Sequence, residues 1–151
     1  METIKFYTRR DPYFELSNFY QGSQFVAFGI TWESSEHLYQ ALKFESTDKE
    51  AYWAIARAKT PAAAAKIGRD KNNKMRPDWD EVKDDLMYDV LYRKFTGDVL
   101  LKNVLINTKD AVLVEHSKKD SYWGDGGDGS GKNMLGELLM ELRDDLNGFE
   151  K

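Results

Sequence analysis

The sequence predicts an α+β fold, mainly helical with a small β element, and three observations carry that expectation. Apolar residues recur at helical spacing over most of the chain. Runs rich in β-branched or aromatic residues are few and short. No Pro/Gly/Ser linker, repeat or low-complexity tract interrupts the 151 residues, a length suited to one core, so residues 1–151 are expected to form a single domain.

Taken in order, residues 4–7 read as a short strand and residues 24–30 as a second, with Phe25, Ala27 and Gly29 opposing Val26, Phe28 and Ile30. Between them, residues 9–22 carry aromatics and the turn formers Pro12, Ser17, Asn18 and Gly22, which predicts an ordered loop. Ser34 offers an N-cap for a helix over 36–44, and a second helix covers 49–58. Thr60 caps a third, with Pro61 in its first position and Gly68 as a left-handed terminator. Asp78 and Glu81 resemble a capping box ahead of the longest helix, in which Val82, Leu86, Val90, Leu91 and Phe95 recur at helical spacing until Gly97. A helix over 98–107, a strand over 111–115 and a last helix over 133–146 complete the order. Residues 118–132 are polar and hold Gly124, Gly126, Gly127, Gly129 and Gly131, a density that permits positive φ or close backbone approach to a ligand.

Composition narrows the function. With no cysteine, disulfides, thiolate metal sites and thiol nucleophiles are excluded, and a reducing cytoplasm is the expected compartment. His37 and His116 lie too far apart in sequence for a helical zinc site, so no metal is expected. The first ten residues contain no long apolar run, which argues against a leader or membrane span. A net charge of -4 opposes counterion-release binding, so plain duplex DNA is not an expected partner.

Two constellations could carry chemistry. Glu36, Gln40 and Lys43, spaced by four and three residues, would share one helical face, with Trp32, Tyr39 and Phe44 supplying rings beside them. The same pattern also fits a solvated helix face. Asp120, Tyr122 and Trp123 run into the glycine cluster, and Asn133 and Gly136 open the final helix. A glycine-rich loop leading into a helix favours anions, yet the spacing matches neither the P-loop nor the dinucleotide fingerprint, and Asp125 and Asp128 would repel phosphate if they pointed inward. A capped surface loop fits equally, while the acid offsets do not fit a calcium loop. Arg9, Arg10 and Arg69 each suit a forked phosphate contact or a surface ion pair.

The run from Trp32 through Glu36, Tyr39, Gln40 and Lys43 to Phe44 resembles the signature of the NADAR superfamily, also called YbiA-like proteins. Further stretches agree in order: Leu16 to Phe19, Gly68-Arg69, Trp79 with Lys83 and Met87, and Lys94-Phe95. The most specific is carboxyl-terminal, with Asp120, Tyr122, Trp123, Gly124, Asp128, Gly129, Gly131, Asn133, Leu135, Gly136, Leu139, Met140 and Arg143 at family-like spacing. Glu33, Leu38 and Phe14 or Glu15 depart from the usual proline, aromatic and glycine.

The resemblance implies a YbiA-like fold and a metal-independent, cofactor-free hydrolase of N-glycosidic bonds. Family members remove ribose phosphate from aminopyrimidine intermediates of riboflavin synthesis, and others release ADP-ribose from modified guanine. The expected partner is therefore a small nucleotide-like substrate, with ADP-ribosylated guanine as the alternative substrate and a non-catalytic ADP-ribose or NAD-metabolite module as the alternative class. Glu36, Lys43 and Asp120 are the implied catalytic groups: one carboxylate offsets charge on the ribose, the other directs water, and Lys43 forms a Schiff base or binds phosphate. Trp123 with Phe19 or Trp32 would stack on the base, while Asn18, Gln40, Arg69, Asn133 and the backbone at Gly124 would hold ribose and phosphate.

Overall fold

The structure is a computed structural model and describes residues 2–149. Along the described residues the order is β1 (Thr3–Phe6), a 3-10 turn (Phe14–Leu16), β2 (Phe25–Ala27), β3 (Ile30–Trp32), α1 (Ser35–Ala41), α2 (Lys49–Ala56), α3 (Pro61–Arg69), α4 (Trp79–Thr96), α5 (Val99–Ile106), β4 (Val112–Glu115) and α6 (Met134–Phe149). The fold is α+β and mainly helical, with two two-stranded sheets. Two compact units are present: one runs up to Ser17 and resumes at Asp98, and the other is Asn18–Gly97.

In the first unit, β1 and β4 pair in parallel, with Ile4 opposite Leu113 and Phe6 opposite Glu115. A parallel pair needs a long crossover between its strands, and here most of the sequence separates them. Ile4 and Phe6 alternate inward and pack in a core that includes Leu105, Leu113, Leu139 and Leu142. The carboxylate of Asp11 accepts the N–H groups of Tyr7 and Thr8, both at 2.8 Å, and so ties down the chain leaving β1.

The entry to α6 is held by Asn133, which adopts a left-handed φ of 53°. Its side-chain oxygen accepts the Glu115 N–H at 3.0 Å and its amide donates to the Leu113 carbonyl at 2.9 Å, so one side chain clamps the helix start to β4. Gly136 lets this contact close, because a Cβ there would overlap the Leu113 carbonyl oxygen and the Asn133 amide.

In the second unit, the single strand expected over 24–30 is instead a hairpin of β2 and β3, with Phe25 opposite Trp32. Phe28 and Gly29 take φ of 56° and 74°, the double positive φ of the tightest hairpin turns. Phe28 is an unfavourable residue for that backbone, which is why the alternation hides the turn. Ser34 and Thr60 cap α1 and α3 as expected, accepting the N–H groups of His37 and Ala63.

Three local expectations are overturned. Lys43 lies beyond α1, because the bonds from Lys43 to Gln40 and from Phe44 to Ala41 tighten the chain into three-residue turns. Gly68 sits inside α3 with no positive φ, so it is not a left-handed terminator. Asp78 makes no side-chain cap for α4, because Arg76 holds its carboxylate through bonds of 2.6 and 2.9 Å. Along α4, Trp79, Met87, Val90, Leu91 and Phe95 are buried, while Val82 and Leu86 are half-buried.

Asn133→Gly keeps the backbone permissive at that φ and removes only the clamp. It is expected to lower stability by about 1–3 kcal/mol in urea denaturation, the usual cost of leaving buried backbone groups unmatched. Unchanged stability in that variant would show that α6 needs no clamp.

Candidate functional site

The polar residues of α1 are buried rather than solvated. Asn18 frames the helix start: its backbone carbonyl accepts the Glu36 N–H at 3.0 Å, its side-chain oxygen accepts the Ser35 hydroxyl at 2.9 Å, and its amide points at the Met87 sulfur at 3.5 Å. Glu36 and Gln40, one turn apart, are 8% and 4% exposed, and the Gln40 amide donates to Glu36 Oε2 at 2.7 Å. This disposes of the solvated-face reading, since neither group meets much water.

The other side of the Gln40 amide meets α3. Its Oε1 has no hydrogen-bond partner among the described residues and lies where a Cβ of residue 68 would be. Glycine inside a helix costs about 0.8–1.0 kcal/mol relative to alanine. At Gly68 that cost makes room for a glutamine side chain.

Lys43 follows α1 and is 9% exposed. Its Nζ lies 5.6 Å from the centroid of the Tyr39 ring and 5.8 Å from that of Trp79, and donates weakly to the Gly68 carbonyl at 3.5 Å. The two rings are 5.2 Å apart and tilted by 57°, so they form a walled niche around the amine. Burial pushes the Lys43 amine below its ordinary 10.5; the Glu36 charge opposes that shift, and Arg69 and Lys83 reinforce it. An amine depressed in this way has more of its nucleophilic free-base form near neutral pH. Trp79 was legible only as a motif residue, since nothing in the spacing places its ring beside Lys43.

The other expected ligands of this unit divide by exposure. Arg69 ends α3 in solvent, and Phe19 is 41% exposed, so both are accessible. Trp32 is not: it is fully buried, its indole N–H donates to the Ala27 carbonyl at 2.9 Å, and its ring meets Tyr52 edge-on at 5.9 Å. It is a core residue with no face for a base. His37 is likewise buried, bonded to Ser34 at 2.7 Å and to the Ala58 carbonyl at 2.9 Å.

The late cluster belongs to the first unit. Asp120 Oδ1 accepts the N–H groups of Tyr122 and Trp123 at 2.9 and 2.8 Å, closing the turn that presents a half-buried Trp123 edge-on to Tyr122. Gly124 is buried with the carbonyls of Asp120 and Glu115 where a side chain would begin, and its own carbonyl accepts the Asn133 N–H at 3.0 Å. Asn133 has both ends of its amide bonded to β4, which makes it a structural clamp rather than a ribose ligand.

Beyond Gly124 the loop is tied, not loose. Gly126, Gly127 and Gly129 take φ of 75°, 88° and 86°. Asp125 is buried, with one oxygen on His116 Nδ1 at 2.8 Å and the other accepting the Gly127 N–H at 2.8 Å. Burial raises its pKa, but these two bonds and the charges of His116 and Lys5 more than offset that and hold the carboxyl below its ordinary range. Asp128 is occupied by the hydroxyl and N–H of Ser130. A cavity of about 390 Å³ lies here, where Lys5, His116 and Lys132 face Asp125, Asp128 and Glu137. With two lysines against three carboxylates, its lining offers no net attraction for phosphate. Among the described residues there is no cluster of metal-ligating side chains, and no helix is long and apolar enough to cross a membrane.

A family model of the NADAR domain matches residues 5–147. The N-glycosidase YbiA of Escherichia coli is 45% identical over 143 residues, covering 95% of this chain and 88% of that protein. An N-glycosidase of Nostoc punctiforme is 39% identical, covering 97% and 94%, and a riboflavin biosynthesis protein of Vibrio vulnificus is 39% identical, covering 96% of this chain and 39% of its own length. The NMR structure of Escherichia coli YbiA superposes with a TM-score of 0.89 at 42% identity, covering 99% of this chain and 87% of that one.

Lys43 is expected to lose its proton at lower pH than an ordinary lysine, and NMR titration of carbon-13-methylated lysines measures this directly. Because the Glu36 charge opposes the shift, Glu36→Gln should lower the Lys43 midpoint further. A midpoint at or above 10.5 would contradict the desolvated niche.

Proposed function

The chain belongs to the NADAR family, whose N-glycosidase members are hydrolases of N-glycosyl bonds, and from that premise we propose that it cleaves the ribose C1–nitrogen bond of ribosylaminopyrimidine phosphates and releases ribose 5-phosphate. The observation that carries the reading is the buried Glu36–Gln40 pair beside a desolvated Lys43 under the Tyr39 and Trp79 rings. The matched family model runs through both compact units, so both are assigned to one NADAR domain.

Breaking the C1–nitrogen bond builds positive charge on the sugar, and a carboxylate held in a poorly solvated place stabilises that charge more than it stabilises the neutral substrate. Glu36 has this character. Lys43 supports a covalent route. The ribosylamine opens to an imine, the Lys43 amine adds to C1, and the aminopyrimidine leaves with its nitrogen protonated. Water then adds to the resulting Schiff base, regenerating the amine and freeing the sugar aldehyde. Phe19 and Arg69 are both exposed, which suits contacts to the base and the phosphate. Asp120 uses one carboxylate oxygen to close its own turn, and its carboxylate is the second acid assigned to turnover.

Glu36→Gln, Lys43→Ala and Asp120→Asn should each lower turnover by at least roughly a hundredfold with the fold retained. Mass spectrometry of products separates the two substrate classes, since ribose 5-phosphate from a ribosylaminopyrimidine phosphate supports the proposal and ADP-ribose from ADP-ribosylated guanosine alone replaces it. Borohydride added during turnover should trap a sugar phosphate on Lys43. Wild-type rates in all three variants would remove the site assignment.

A further inference from the structure

We propose that Gly68 is a positioning residue for both reactive groups: its missing side chain seats the Gln40 amide that holds Glu36, and its carbonyl holds the Lys43 amine. The inference rests on the reading of Glu36 and Lys43 as catalytic, and it extends that reading to a residue of a different helix.

Four observations support it. A Cβ at position 68 would overlap Gln40 Oε1 and stand 2.6 Å from Gln40 Cδ, so alanine and the present glutamine rotamer are mutually exclusive. That rotamer is the one whose N–H reaches Glu36 Oε2 at 2.7 Å. The opposite amide orientation would turn an oxygen toward the carboxylate, so the donor assignment follows from the pairing itself. Gln40 Oε1 is buried without a partner among the described residues, which leaves the N–H to Glu36 as the bond that orients the amide. Finally, the Gly68 carbonyl accepts from Lys43 Nζ at 3.5 Å, so the same peptide unit touches the side chains on which acid and amine depend.

Helix propensity alone favours alanine here, because Gly68 keeps a helical backbone. Adding a methyl group would displace the end of a flexible side chain rather than backbone, so the fold has a way to accept it while the Glu36 bond is broken. Gln40 then acts through Glu36 and Gly68 acts through Gln40.

The test is a double-mutant cycle of Gly68→Ala and Gln40→Ala on the full chain. With a ribosylaminopyrimidine phosphate as substrate, each single variant should lower kcat on the order of ten- to a hundredfold, the scale expected when a reacting group is misplaced by about an ångström, with KM changed by less than about twofold. The acid limb of the kcat/KM profile should move to higher pH in both, because Glu36 loses the donor that favours its ionised form. The double variant, which removes the overlap, should match Gln40→Ala rather than add to it. Gln40→Glu puts an acceptor against Glu36 and should not rescue. A second readout needs no substrate: NMR titration of the Glu36 side-chain carboxyl should show a raised midpoint in both single variants. An unaltered Glu36 midpoint in folded Gly68→Ala would overturn the proposal, as would additive losses or a raised KM at constant kcat in Gln40→Ala. If wild-type protein releases no ribose 5-phosphate, the proposed function fails while the Glu36 titration still decides the positioning role.

Discussion

Burying the polar side of α1 is the constraint on which the site depends. Glu36, Gln40 and Lys43 are all largely removed from water, and burying groups of that polarity is costly unless neighbours satisfy them. The neighbours are specific: the Gln40 amide for Glu36, the Gly68 carbonyl and two aromatic faces for Lys43, and Asn18 for the backbone N–H of Glu36. An acid is thereby kept rigid, and an amine is pushed toward its neutral form by the same desolvation. Those are the properties that N-glycoside cleavage asks of a carboxylate and a nucleophile.

The glycine-rich loop follows a different logic. Its acids are absorbed internally, Asp125 by His116 and the Gly127 N–H, Asp128 by Ser130, and Asp120 by the N–H groups of the turn that follows it. Gly124 and Gly136 are present because carbonyl oxygens occupy the space their side chains would need. The loop therefore spans β4 to α6 with its three aspartates bonded internally, and Asn133 closes it onto the strand. It carries a half-buried Trp123 and borders a cavity of mixed charge.

Much of the fold was legible because its signals are local. The caps at Ser34 and Thr60 depend on one side chain and an N–H within three residues, and both appear in the structure. The misreadings share a cause: a side-chain partner outside the expected motif overrode a local preference. Asp78 leaves its helix for Arg76, Gly68 continues its helix because Gln40 needs the room, and Phe28 accepts a positive φ while the Arg93 guanidinium sits 4.5 Å from its ring centroid. The site followed the same rule. Glu36 and Gln40 were visible as a pair at helical spacing, whereas Trp32 and Asn133 carried motif-like positions and turned out to be a core ring and a clamp.

By itself the sequence determined the order of the helices, the carboxylate, amide and amine set near α1, and the family to which the chain belongs, because each rests on spacing along the chain. Only the tertiary structure decided which of those polar groups lose water. Burial depends on packing from elements far away in sequence: α3 brings Gly68 against Gln40, and α4 brings Trp79 over Lys43. Desolvation is what changes a charged side chain from a surface group into a reactive one, and no local pattern encodes it.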